Sequence, residues 1–257
     1  MTGDSDGAKD RRADPSPERV RSRRSLAIVG LFGVLGVATL TALGIWQLER
    51  RAWKLQLIGE INERTHAAPI EAPGPARWPQ AAAGRYTYRA VRVAGEYLND
   101  QETLVRAVTR LGAGYWVLTP LRTADGFTIL VNRGFVPPER REAASRTEGL
   151  IRDDTVVTGL LRMSEPKGAF LHTNDPGDGR WYSRDVAAIA GAHHLSPIAP
   201  YFIDADATPI PGGLPVGGLT VIDLPNNHLV YSFTWFSLAV MLAGGLAHGF
   251  RHEWRRR

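Results

Sequence analysis

Hydrophobic residues are distributed along this chain in two distinct ways. Near each end they run on without a charge, over residues 26–48 (LAIVGLFGVLGVATLTALGIWQL) and 229–250 (LVYSFTWFSLAVMLAGGLAHGF). Between these stretches they alternate with polar residues or come in short bursts. Each end stretch is long enough, at about 1.5 Å per residue, to cross a hydrocarbon core about 30 Å thick. The pattern predicts two transmembrane helices, 26–48 and 229–250, flanking a polar domain over 49–228.

The pattern inside that domain changes period. Leu55, Ile58 and Ile61 recur at helical spacing after the first span, which predicts a helix over 49–65 that continues or restarts at the membrane surface. Residues 69–79 (PIEAPGPARWP) are Pro-rich and read as a linker. Strand patterns follow at 86–97, 103–108, 115–121, 127–132 and 155–161, with short strands at 201–203 and 219–222. Turns are expected at Asn99-Asp100, at Gly112-Ala113-Gly114 and, as a hairpin, at Asp125-Gly126. Ser183 is placed to cap a short Ala-rich helix over 184–192. The fold class is therefore two transmembrane helices flanking a mainly antiparallel β (α+β) extracytoplasmic domain. Tyr115, Val117, Leu130 and Val131, in the most continuous apolar runs, are its expected core.

Charge gives the expected orientation. The formal net charge is +5; the tail before Leu26 carries +2 and the tail after Phe250 carries +3, so the middle sums to zero. Basic flanks stay on the cytoplasmic side, which puts both basic tails (1–25 and 251–257) in the cytoplasm and the middle outside. Arg50, Arg51 and Lys54 oppose that rule locally, which a long translocated domain tolerates. The tail cations are explained by topology and anionic lipid in the bilayer, and a domain without charge excess is not a nucleic-acid binder. The first span is longer than a signal-peptide core and runs into WQLERR with no small-residue cleavage site, so it reads as a retained anchor. The acidic residues of the N-terminal tail fit a bacterial plasma membrane better than an organelle transit peptide. There is no cysteine, which excludes a disulfide, a thiolate metal site and a cysteine nucleophile.

Candidate chemistry is sparse. His228 stands where the domain re-enters the second span, and Tyr231, Ser232 and Trp235 share its helix face by spacing of three to four residues. An interfacial imidazole is either part of an aromatic belt with Tyr231, Trp235 and Phe236 or a ligand for a metal or heme iron; spacing alone favours the belt. His248 lies about 30 Å from His228 along one helix, so the two do not meet at one iron. Gly245 and Gly249, Ala239 and Ala243, and Gly30, Gly33 and Gly36 are small-residue patterns that let helices approach closely, either the two spans on each other or a span on a third helix. His193-His194 is an adjacent pair at a solvated helix end, and His172 stands apart. The carboxylates are scattered, and no nucleophile, zinc or phosphate-loop motif occurs.

Five segments in order carry a resemblance: LGIWQLER (43–50), VAGEY (93–97), GYWVLTPL (114–121), VNRGFVP (131–137) and NHLVYSFTWF (227–236). Together with the two-span plan, they resemble the Surfeit locus protein 1 family, assembly factors for heme-copper cytochrome c oxidase. Phe135 stands where the family often has Trp. The resemblance implies a non-enzymatic role in supplying or stabilising heme a during maturation of oxidase subunit I, with subunit I and heme a synthase as partners. It implies His228 as the heme iron ligand. Tyr231 and Trp235 are then placed either to pack on the macrocycle or to belong to the aromatic belt, and Arg50, Arg51 or Lys54 to pair with the propionates. Two rivals stay open at this point: a cofactor-free scaffold that clamps subunit I, and a membrane-bound periplasmic hydrolase.

Overall fold

The computed structural model describes residues 23–166, 172–222 and 224–255. The basic clusters at Lys9, Arg11, Arg12, Arg19 and Arg21, and at Arg256 and Arg257, lie outside them. The chain divides into two compact units. One comprises the chain up to Leu55 and from Pro225 on; the other is Gln56–Leu224.

The first unit is a helix pair. Helix α1 (Arg23–His66) continues unbroken through the apolar stretch and the helical pattern that follows it, and its C-terminal end belongs to the second unit. Both α1 and the last helix, His228–Arg255, are long and apolar enough to cross a membrane. Their outer faces stay uncovered: Phe32 is 68% exposed, Val34 65%, Phe233 74% and Val240 71%. Apolar surface this extensive calls for an apolar environment.

The second unit is a β-barrel. After α1 come β1 (Ile70–Glu71), α2 (Trp78–Ala82), β2 (Ala90–Tyr97), β3 (Thr103–Thr109), β4 (Gly112–Thr123), β5 (Thr128–Val136), β6 (Thr155–Met163), α3 (Val186–Ala192) and β7 (Ile198–Ala205); the last helix is α4 (His228–Arg255). Strands β2, β6, β7, β5 and β4 pair in that order, and β4 pairs again with β2, which closes the ring. All of these pairs are antiparallel except β5 with β7. β1 adds in parallel beside β2, and β3 forms a hairpin with β4. The expected antiparallel strands are thus present, but the sheet is closed rather than open.

Closure depends on Gly95. It pairs with Thr155 of β6 and with Thr123 of β4, so β2 changes partner at this residue. A Cβ here would run into the Arg122 carbonyl oxygen, and only glycine allows the backbones this near. On one side of the barrel wall, Val91, Val93, Leu121, Ile129, Val131, Leu161 and Ile203 form the main core. On the other, Leu118, Leu130 and Phe202 pack under α3 and Trp181. β5 is buried along its whole length, which is why it reads as a continuous apolar run, while β2 alternates.

Several local expectations are corrected. Residues 69–79 are not a linker: β1 lies there, and Trp78 donates to the Pro73 carbonyl and packs edge-on against Phe127, with ring centroids 5.8 Å apart. Asp185, not Ser183, caps α3, accepting from the Ala188 amide. Gly112–Gly114 begins β4, and Arg110-Leu111 make the turn instead. No strand forms at 219–222; the backbone pairs three residues earlier, in a single bridge between Val216 and Phe135. Val117, Leu130 and Val131 are buried as expected, but Tyr115 is half-buried beneath the Arg141 guanidinium. The hairpin at Asp125-Gly126 is present, with Gly126 at φ 83°.

Gly95→Ala is expected to destabilise the barrel by about 1–3 kcal/mol through overpacking. Denaturant unfolding of the full chain in detergent, followed by tryptophan fluorescence, measures this. An unchanged midpoint would show that the barrel does not close at Gly95.

Candidate functional site

Three clusters of polar groups merit comparison. The first is on β5, where a bulge opposite Val117 and Leu118 makes Arg133 the extra residue. Arg133 is 1% exposed, and its guanidinium lies 4.5 Å from the Tyr97 ring centroid and donates to Asn99 Oδ1 and the Gly149 carbonyl. Burial pushes the Tyr97 hydroxyl up to about 12 and pulls the Arg133 guanidinium below its ordinary value. Nearby, Arg146 and Glu102 form a buried, two-pronged ion pair. The second cluster surrounds Asp204 of β7, which accepts from Asn132 (2.7 Å), Thr220 (2.9 Å), Arg162 (3.0 Å) and Arg184 (3.0 Å). Each oxygen takes two donors, so the carboxylate has no capacity left for chemistry. Both clusters tie strands and loops together. The VNRGFVP segment is therefore explained by packing: Asn132 and Arg133 anchor these networks, and Phe135 packs edge-on against Trp116 at 6.2 Å.

A cleft of about 590 Å³ lies beside Asp204, lined by Ile58, Ile61 and His66 of α1 with Leu160, Asp206 and Thr220. None of the buried side-chain atoms lacking a partner among the described residues belongs to it. The described residues hold no cluster of three metal-ligating His, Asp or Glu side chains.

The third cluster is in the helix pair. The two helices run antiparallel, with Gly30 facing Phe250 at one end and Gln47 facing His228 at the other. Between these ends, Leu242 stands 2.9 Å from where a Gly36 Cβ would be, and the Phe236 ring stands 2.6 Å from that of Gly44. Gly33 meets Leu246 in the same way. The glycines of α1 form a groove and α4 fills it with large side chains, so backbones approach closely. A Cβ placed on Gly244, Gly245 or Gly249 of α4 would meet nothing within 4 Å, so close approach does not require these glycines.

His228 is at the first position of α4. Its Nδ1 lies 2.8 Å from Gln47 Oε1, and one turn on, the buried Ser232 hydroxyl donates to the Gly44 carbonyl at 3.1 Å. Spacing alone misses Gln47 because it lies 181 residues away in sequence. Of the expected set His228, Tyr231, Ser232 and Trp235, His228 and Ser232 bond to α1. Tyr231 is 55% exposed, and the face turned to α1 is carried by His228, Ser232, Phe236 and Ala239. Trp235 is half-buried, and among the described residues its buried indole N–H has no acceptor and the buried Asn226 Oδ1, two residues before His228, has no donor. Arg50 stacks over Trp53 at 4.0 Å. His248 is exposed. In the barrel unit, His193 is half-buried against the Thr103 hydroxyl (2.9 Å) rather than solvated, His194 is exposed, and His172 stacks on Tyr182.

Of the three clusters, this one contains an imidazole, His228. With Nδ1 on the Gln47 oxygen, Nε2 keeps a lone pair, the donor an iron requires. The donor set is compatible with a heme: one nitrogen, aromatic surface, and cations at Arg51 and Lys54 within two turns of Gln47.

The chain is similar to known proteins over most of its length. Residues 34–240 match the model of the SURF1 family. The chain is 36% identical to Surfeit locus protein 1 of Rattus norvegicus over 217 residues, covering 78% of this chain and 69% of that protein. It is 34% identical to Surfeit locus protein 1 of Homo sapiens over 221 residues, covering 78% and 70%. A SURF1-like protein of Monosiga brevicollis is 38% identical over 232 residues, covering 82% and 84%.

The helix register is testable because the chain has no cysteine of its own. A Gly36→Cys/Leu242→Cys double variant is expected to cross-link intramolecularly under mild oxidation, whereas Gly36→Cys/Val230→Cys, three turns away, is not. Cross-linking of the second pair alone would overturn the seam.

Proposed function

The chain belongs to the SURF1 family, and from that premise we propose that it is a non-enzymatic membrane assembly factor for heme-copper cytochrome c oxidase. It binds heme a through His228 and aids its insertion into subunit I, with heme a synthase as a further partner. The observation that carries this reading is the pairing of His228 Nδ1 with Gln47 Oε1, which leaves Nε2 as a nitrogen donor at the head of α4. Heme a, when bound, supplies an iron that takes an axial nitrogen, a long apolar tail and a carboxylate edge. His228 holds the iron, Trp235 and Tyr231 supply aromatic surface, and Arg50, Arg51 and Lys54 supply cations for the carboxylates.

The protein sits in a bacterial plasma membrane with both termini cytoplasmic and the barrel outside. The exposed apolar faces of α1 and α4 support a bilayer setting, and the basic tails support this orientation. A ligand near the outer interface lets the apolar tail of heme a enter lipid while its carboxylates face water.

Two measurements test this. A reporter active only outside the membrane should work when inserted near Gly212 and be silent when fused after Arg257; activity at the terminal fusion would reverse the orientation. In cells making heme a, His228→Ala should lose its bound heme while keeping insertion and fold, and His248→Ala should keep its heme. His228→Met should retain heme with an altered absorption spectrum, because a thioether also ligates iron. Wild-type heme content and spectrum in His228→Ala would remove this residue as the ligand and favour a cofactor-free clamp on subunit I.

A further inference from the structure

The His228–Gln47 contact decides which imidazole nitrogen is available. An amide oxygen only accepts, so the nitrogen 2.8 Å from Gln47 Oε1 is the one that carries the proton. A neutral imidazole has a single N–H, and the partner of one ring nitrogen determines the state of the other. The opposite amide orientation would place the Gln47 NH₂ against Nδ1, leave the proton on Nε2, and abolish a lone pair there.

Gln47 is well placed to hold the ring. It lies one turn after Gly44, where the Phe236 ring and the Ser232 hydroxyl fix α4 against α1. The helix contact therefore sets the level of Gln47 relative to the first residue of α4.

We propose that Gln47 is the positioning residue for His228: it locks the imidazole with its proton on Nδ1 and so makes Nε2 the ligating atom. The identity of the ligand, and only that, rests on the heme reading above. Ligating histidines commonly have such an acceptor on the second nitrogen, and its loss weakens binding by about 10–100-fold.

The test uses the full chain in detergent, with histidine labelled in its ring nitrogens, at a pH where the imidazole is neutral. His228→Ala identifies the His228 signals among the seven histidines. In the wild type, Nδ1 should give a protonated-type signal and Nε2 an unprotonated one. Gln47→Leu, which keeps the bulk and loses the acceptor, should move the proton to Nε2, and Gln47→Glu should keep it on Nδ1. With heme a supplied, Gln47→Leu should bind about 10–100-fold more weakly than wild type, with Gln47→Glu restoring binding. A wild-type His228 protonated on Nε2 would overturn the proposal even if Gln47→Leu failed to fold. So would a Gln47→Leu spectrum identical to wild type. If the proton follows Gln47 but the wild type binds no heme, the positioning role stands and the heme reading fails.

Discussion

The close approach of α1 and α4 is the constraint on which the candidate site depends. Glycines at 30, 33, 36 and 44 remove side chains from one helix where Phe250, Leu246, Leu242 and Phe236 occupy the other. In a bilayer, where lipid tails are as apolar as these side chains, packing and hydrogen bonds rather than a hydrophobic effect hold such helices together. The Ser232–Gly44 and His228–Gln47 bonds lie at one end of this seam. His228 thus owes its partner to a contact that begins with the absence of a side chain at Gly44.

The barrel depends on a comparable device. Gly95 lets β2 pair with β6 and then with β4, so the sheet closes with little exposed edge. Its buried arginines complete the closure. Arg133, pushed inward by a bulge, reaches the Asn99 and Gly149 segments, and Arg146 binds Glu102. Breaking such a pair leaves one buried charge uncompensated, which costs far more than the pair contributes. Two of the segments that resemble the Surfeit family, VAGEY and VNRGFVP, therefore owe their residues to barrel construction, while LGIWQLER and NHLVYSFTWF build the helix seam.

Much of this was legible in the sequence, because periodicity reports burial. The two apolar helices, most strands and the Asp125-Gly126 hairpin follow from it. Closure was not legible, since three residue pairs between β2 and β4 leave no periodic mark. Residues 219–222 look apolar enough for a strand, yet Leu219 is buried without strand pairing and Thr220 is drawn to Asp204. At the site, His228 stood out by its position at a membrane re-entry. Gln47 did not, because a side-chain bond across 181 residues has no local signature. Tyr231 and Ser232, at about 100° per residue, fall on opposite flanks of His228, and the seam with α1 runs along the Ser232 flank, which leaves Tyr231 exposed.

The central claim is that this helix pair carries heme a on behalf of an oxidase. The most direct measurement is on the wild-type protein, purified in detergent from cells that make heme a and express subunit I. The account predicts a heme a absorption spectrum in the purified protein and subunit I retained with it. A protein that is colourless under those conditions, whether or not subunit I accompanies it, would contradict the claim.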